Sequence, residues 1–208
     1  MHWFFSSFEP EQFNLLFGGG HKELAHELKT AIHTYSEETY HKAVGLDLAD
    51  DVIMHGISYK GLDLDQAQAL DYLINVAFIQ DPISTRLKTE LESSEGLSLM
   101  VLSAFIERSL NRKKTFGFRS KPTPNRHIRV LDNFAFGRRY GETESNDDSE
   151  YLILDNQELK TLSKGIRKEL QASGEWPEKW YPDYIDQELL RPVDRALDKG
   201  RHLFATYC

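Results

Sequence analysis

The chain has 208 residues, of which 40% are apolar and 12% aromatic, the composition of a folded globular protein rather than a disordered one. Its one cysteine, Cys208, excludes a disulfide within these residues, and no apolar run approaches the roughly 20 residues of a membrane-spanning helix. The net charge of −8 hides an asymmetry: Arg108 to Arg139 holds ten basic residues and one acid, Asp132, a balance of +9 that leaves −17 for the rest.

The first eight residues lack a basic leader, and Glu9-Pro10 interrupts them, so no signal peptide is expected and the expected location is the cytoplasm. Residues 2–8 are rich in aromatics and predict a strand central to a sheet. Glu9-Pro10-Glu11 opens a short helix with Phe13, Leu16 and Phe17 inward, and Gly18-Gly19-Gly20 ends it. The three glycines lack the Lys-Ser/Thr that a phosphate loop requires. A second helix follows from His21 to about Tyr35, with a restart at Ser36 and a short helical or irregular link over 46–57 that turns Leu48, Val52 and Ile53 inward.

Gly61 to Gln80 organises a core. Asp63 and Asp65 stand where a helix wants acceptors, and Leu70, Leu73, Ile74, Ala77 and Phe78 recur on one face. Asp81-Pro82 stops this helix. Residues 83–92 predict an exposed helix with Ile83, Leu87 and Leu91 inward, and Ser93 or Ser94 is expected to cap a buried apolar helix from Leu97 to Leu110. Asn111 to His127, polar and basic with Pro122 and Pro124, predicts a long loop or β-hairpin arm. Ile128 to Phe136 alternates and predicts a strand.

An acidic loop runs from Gly141 to Ser149, and Tyr151 to Leu154 predicts a further strand. Asp155, with Glu158 three residues on, predicts a capping box for a helix whose stripe is Leu159, Leu162, Ile166 and Leu170. An aromatic, proline-rich connector (176–182) leads to a last helix through Leu197, with Pro192 as a kink or restart. Gly200 ends it, and 202–207 is a closing strand. The expected whole is a single α+β domain over 1–208. Its small mixed or antiparallel sheet comes from residues 2–8, 128–136, 151–154 and 202–207, wrapped by six or seven helices, with a basic loop or hairpin arm at about 108–139.

Three stretches carry a resemblance. Leu62-Asp63-Leu64-Asp65 opens a long helix, Tyr151 to Leu170 joins a strand to a helix, and Val193 to Tyr207 joins a helix to a strand. In this order of parts, over about half of its length, the chain resembles the YfbM-like family of uncharacterised bacterial proteins. The resemblance implies a compact α+β fold and no chemistry. Where that family carries Trp and His in the long helix, this chain has Gln68 and Ala69 or their neighbours, so a site built on that pair is not expected.

Three clusters are candidate sites. His21, His26 and His33 share a predicted helix, but no HExxH is formed, so surface histidines are expected and no metal or cofactor. His55 with Asp63, in a neighbourhood that also holds Asp47, Asp50, Asp51 and Asp65, is the right chemistry for a proton-transfer pair, although capping and solvation also account for the aspartates. Arg112, Lys113, Lys114, Phe116, Phe118, Arg119 and Lys121 interleave cations with aromatics. Such a stretch suits a charge-steered protein partner or the phosphates and bases of nucleic acid, or it faces the chain's own acidic loop.

The expected function is a non-enzymatic, cytoplasmic protein-binding module, concretely an immunity-type protein whose acidic body covers a toxin's basic active site. The alternatives are a nucleic-acid-associated protein using 108–139 and an enzyme with a His/Asp site near 55–65.

Overall fold

Strand β1 (His2–Phe8) carries Trp3, Phe4, Phe5 and Phe8, side chains that favour a pleated surface packed on both sides. A computed structural model describes residues 2–35, 48–56, 59, 61–79, 83, 86–93, 95–114, 126–138, 151–172 and 174–207. In it β1 lies inside an antiparallel sheet. β2 (Glu90–Leu91) and β3 (Leu97–Ser98) pair along one side, β5 (His202–Tyr207) along the other, and β4 (Tyr151–Leu154) lies beyond β5.

Register decides which face each side chain serves. Phe5 stands opposite Ala205 and Leu152 opposite that same Ala205, while Ser6 and Ile153 both stand opposite Phe204. Since successive residues of a strand alternate faces, the sheet has two cores. On one face Trp3, Phe5, Leu152, Leu154, Leu203 and Ala205 meet α5 (Leu99–Lys114), α6 (Arg126–Phe136), α7 (Asn156–Leu170), α8 (Tyr181–Ile185) and α9 (Arg191–Asp198). On the other, Phe8, Tyr151 and Phe204 meet α1 (Pro10–Leu16), α2 (Lys22–Tyr35), the helical residues 48–55 (α3) and α4 (Leu64–Ile79). The fold is therefore α+β, with helices on both faces of a small antiparallel sheet.

Aromatic contacts tie each layer to the sheet. Phe134 of α6 meets Trp3 and Phe5 edge-on at 5.3 and 5.8 Å, and its carbonyl accepts the Trp3 indole N–H at 2.9 Å. Phe78 of α4 stacks on Phe204 at 4.5 Å and meets Phe8 at 5.0 Å. Each buried ring contributes roughly 1.5–3 kcal/mol by its burial, and each such pair about 0.5–1.5 more.

Several expectations are corrected. Residues 128–136 are not a strand: they lie in α6. The period-two reading turned Leu131 outward with Arg129, yet Leu131 is 0% exposed, because His127, Val130, Leu131 and Phe134 recur at i, i+3, i+4 and i+7 of a helix. Residues 90–91 form β2 rather than a helical turn, with Leu91 outward and 71% exposed, while Ile83 and Leu87 are buried as expected. Ser93 fastens to β1 by accepting the Phe5 N–H at 2.7 Å. The apolar helix starts at Leu99, after β3, and runs on to Lys114, so residues 111–114 continue a helix instead of opening an arm. Its Met100 is 67% exposed.

Residues 181–198 are one continuous helical rod whose middle, Asp186–Leu190, is π-helical. Pro192 has no N–H for the carbonyl of Glu188, and its ring crowds the preceding turn, so the wider turn falls where the proline needs it. The predicted Ser36 restart and the acidic loop at 141–149 lie outside the described residues.

Candidate functional site

The basic segment divides on folding. Arg112, Lys113 and Lys114 sit at the end of α5, and Phe116, Phe118, Arg119 and Lys121 lie outside the described residues. Two of its cations are used internally. Arg138 makes a bidentate pair with Glu158 at 2.5 and 2.9 Å. Arg108 is buried, donates to the carbonyls of Glu169, Ala172 and Glu175 at 3.2, 3.1 and 3.3 Å, and lies 3.9 Å from the centre of the Trp176 ring. A guanidinium at these carbonyls neutralises the negative end of α7.

Helix α7 brings a second set of cations into play. Asp155 accepts the Gln157 and Glu158 N–H groups, both at 2.8 Å, and Glu158 accepts the Asp155 N–H at 3.1 Å, so the predicted capping box is formed. This start sets the rotation of the helix. Leu159, Leu162, Gly165, Ile166 and Glu169 turn inward, and Lys160, Lys164 and Lys168 turn outward at four-residue intervals. Four residues advance roughly 6 Å along a helix, so the three lysines span about 12 Å on one face.

The first turn of α6 lies against this row. Arg126 joins the three lysines around a groove of about 430 Å³, with Gln157 and Thr161 supplying neutral hydrogen-bonding groups and His127 and Gly165 closing the inner wall. The two helices approach closely because residue 165 has no side chain: a Cβ there would lie 2.2 Å from Cγ of His127. Behind the wall, His127 Nε2 is 3.9 Å from a Glu169 carboxylate oxygen, and Arg108 is 4.0 Å from the other. The inner wall is thus buried and charge-balanced, while the outer rim is cationic. None of Arg126, Lys160, Lys164 and Lys168 forms an ion pair with another described residue.

The other candidates come apart. Asp63 caps α4, accepting the Gln66 N–H at 2.8 Å, and shares no hydrogen bond or ion pair with His55. Among the described residues no group of three or more His, Cys, Asp or Glu is placed to hold a metal ion. A buried polar cluster does exist on α4: the Tyr59 hydroxyl donates to Asp71 at 2.6 Å and lies 2.7 Å from the Tyr151 hydroxyl. Burial, with Tyr151 and Asp71 beside it, drives the Tyr59 pKa far up, so the Tyr59 phenol is neutral where this cluster joins α4 to β4.

In the sequence the lysine row is masked by the apolar stripe of the same helix and by the denser basic run at 108–139. The signal was present as lysines at i, i+4 and i+8, opposite that stripe. Two like-charged i, i+4 pairs each oppose a helix by roughly 0.2–0.5 kcal/mol, so the fold gains nothing from them. No helix among the described residues is long and apolar enough to cross a membrane. No family model matches the chain, and no curated protein and no solved structure matches it.

Proposed function

We propose that this chain is a binding protein that docks an anionic partner by charge on the groove between α6 and α7. One observation carries the reading: four cations converge on one groove without a described carboxylate in its lining, whereas many of the protein's other cations are paired with acids. Arg86 holds Glu23 and Glu27, Lys29 holds Asp50, Arg167 holds Asp194, and Arg191 holds Asp186. Arg195, Lys199 and Arg201 share Glu90 and Glu92. Concentrated charge of one sign raises the rate of encounter with an oppositely charged partner and orients it.

The test is retention on an immobilised polyanion. Lys160→Glu/Lys164→Glu/Lys168→Glu is compared with Lys22→Glu/Lys88→Glu/Lys179→Glu, a variant of identical net charge altered away from the groove. The groove variant is expected to elute at clearly lower salt than the control. Equal elution of the two removes the groove from the function. A toxin-neutralising protein would instead hold a basic partner on its acidic surface. Capture of a cationic partner that the groove substitutions leave unchanged would favour that form of binding and overturn this one.

A further inference from the structure

Resting on that docking role, we infer that the anion is the sugar–phosphate backbone of a nucleic acid duplex, held without sequence readout. The lining has the chemistry that such backbones recruit: Arg and Lys for phosphate oxygens, the Gln157 amide for phosphate or sugar, a Thr161 hydroxyl oxygen that can accept from a sugar hydroxyl while its proton goes to the Gln157 carbonyl, and the N-terminal turn of a helix with its positive dipole end. Its span fits as well. The lysine row covers about 12 Å, and one strand of a duplex presents a phosphate for roughly every 3.4 Å of axis, so several phosphates fall within its reach.

The lining is equally informative in what it holds least of. Protein interfaces concentrate their affinity in aromatic or apolar anchors set in desolvated pockets. The large hydrophobics that the described surface exposes are Leu64, Leu91, Met100 and Trp180, and none of them lines this groove. Unpaired bases would call for stacking platforms, which the described lining also lacks. Lysines are mobile point charges, suited to a repeating backbone rather than to one fixed carboxylate.

The experiment is a fluorescence-anisotropy titration of a labelled mixed-sequence duplex between roughly 50 and 200 mM salt, repeated with labelled polyglutamate. Four neutralised phosphates give a slope of log affinity against log salt near −3.6, a loss of about 150-fold over that range. Lys160→Gln/Lys164→Gln/Lys168→Gln leaves one contact, a slope near −0.9 and a loss of roughly 4-fold. The triple Lys→Arg variant, which keeps the charge, is expected to retain the wild-type slope. Thermal melts of both variants verify folding. Binding of polyglutamate but not of duplex, dependent on the three lysines, overturns this inference and leaves the docking role standing. Binding of neither overturns both. Duplex binding with an unchanged slope in the glutamine variant places the contact elsewhere and also overturns both.

Discussion

The helical layers on the two faces of the sheet are built alike and used differently. The layer of α1 to α4 turns its polar chemistry inward: Asp71 is buried beneath Tyr59 and Tyr151, and Phe78 stacks on Phe204. The layer of α5 to α9 also buries ionic groups, in Arg108, His127 and Glu169, but these hold two helices in a register that leaves four cations facing out. The first layer pairs the charge it buries, Asp71. The second combines a balanced interior with a rim whose described cations have no internal partner, and that rim is where a partner of opposite charge gains most.

The largest effects on either layer are expected in the cores. Phe134→Ala removes the ring that meets Trp3 and Phe5, and Phe78→Ala the ring between Phe8 and Phe204. Each is expected to lose about 3–5 kcal/mol in denaturant unfolding. Both variants should unfold in one transition, because the layers share the strands between them. Two separated transitions would show that the layers are not one cooperative unit.

A smaller effect isolates the second layer. Gly165→Ala puts a methyl group into the base of the His127 side chain, where Cβ and Cγ leave the ring little room to swing away. Overpacking of about 1–3 kcal/mol should outweigh the roughly 1 kcal/mol that alanine brings to a helix. In a His127→Gly background, which also removes the Cβ that would lie 2.4 Å from the new methyl group, the sign should reverse, and the same substitution should then stabilise. A loss of equal size in both backgrounds would show that the tight contact of α6 with α7 does not depend on that pair.

The smallest effect lies at the sheet edge, where Glu90 pairs with Lys199 and Arg201. These partners, Lys199 first, hold the Glu90 carboxyl below its ordinary value of 4.5. A carboxyl depressed in the folded state stabilises above its unfolded pKa, and the contribution disappears as pH falls through the folded value. The thermal midpoint of Glu90→Gln should therefore lie below wild type near neutral pH and converge on it as pH drops below 4.5. A difference that stays constant with pH would assign no part of the edge clasp to this charge.

Where local chemistry is self-sufficient, residues and structure agree. The Asp155–Glu158 box, the Asp63 cap, β1, β4 and β5 need only neighbours in the chain to be recognised. Residues 128–136 show the opposite case. Their apolar positions fit both a two-residue and a 3.6-residue period, and the choice falls to Trp3 and Phe5, more than a hundred residues away, which pack on a helix there. The short strands β2 and β3 are too brief to carry a period, and they exist because β1 has a free edge to pair.

The same division holds for the groove. Composition and charge order determined that this is a folded α+β chain with a basic middle in an acidic body. The sequence also placed three lysines on one side of the helix that Asp155 begins. Only the tertiary structure decided which cations stay available. Burial consumed Arg108 and an acid pair consumed Arg138, and Gly165 let His127 draw α6 against α7 until Arg126 stood beside the lysines. Charge is written residue by residue, but its pairing depends on distances that packing alone sets.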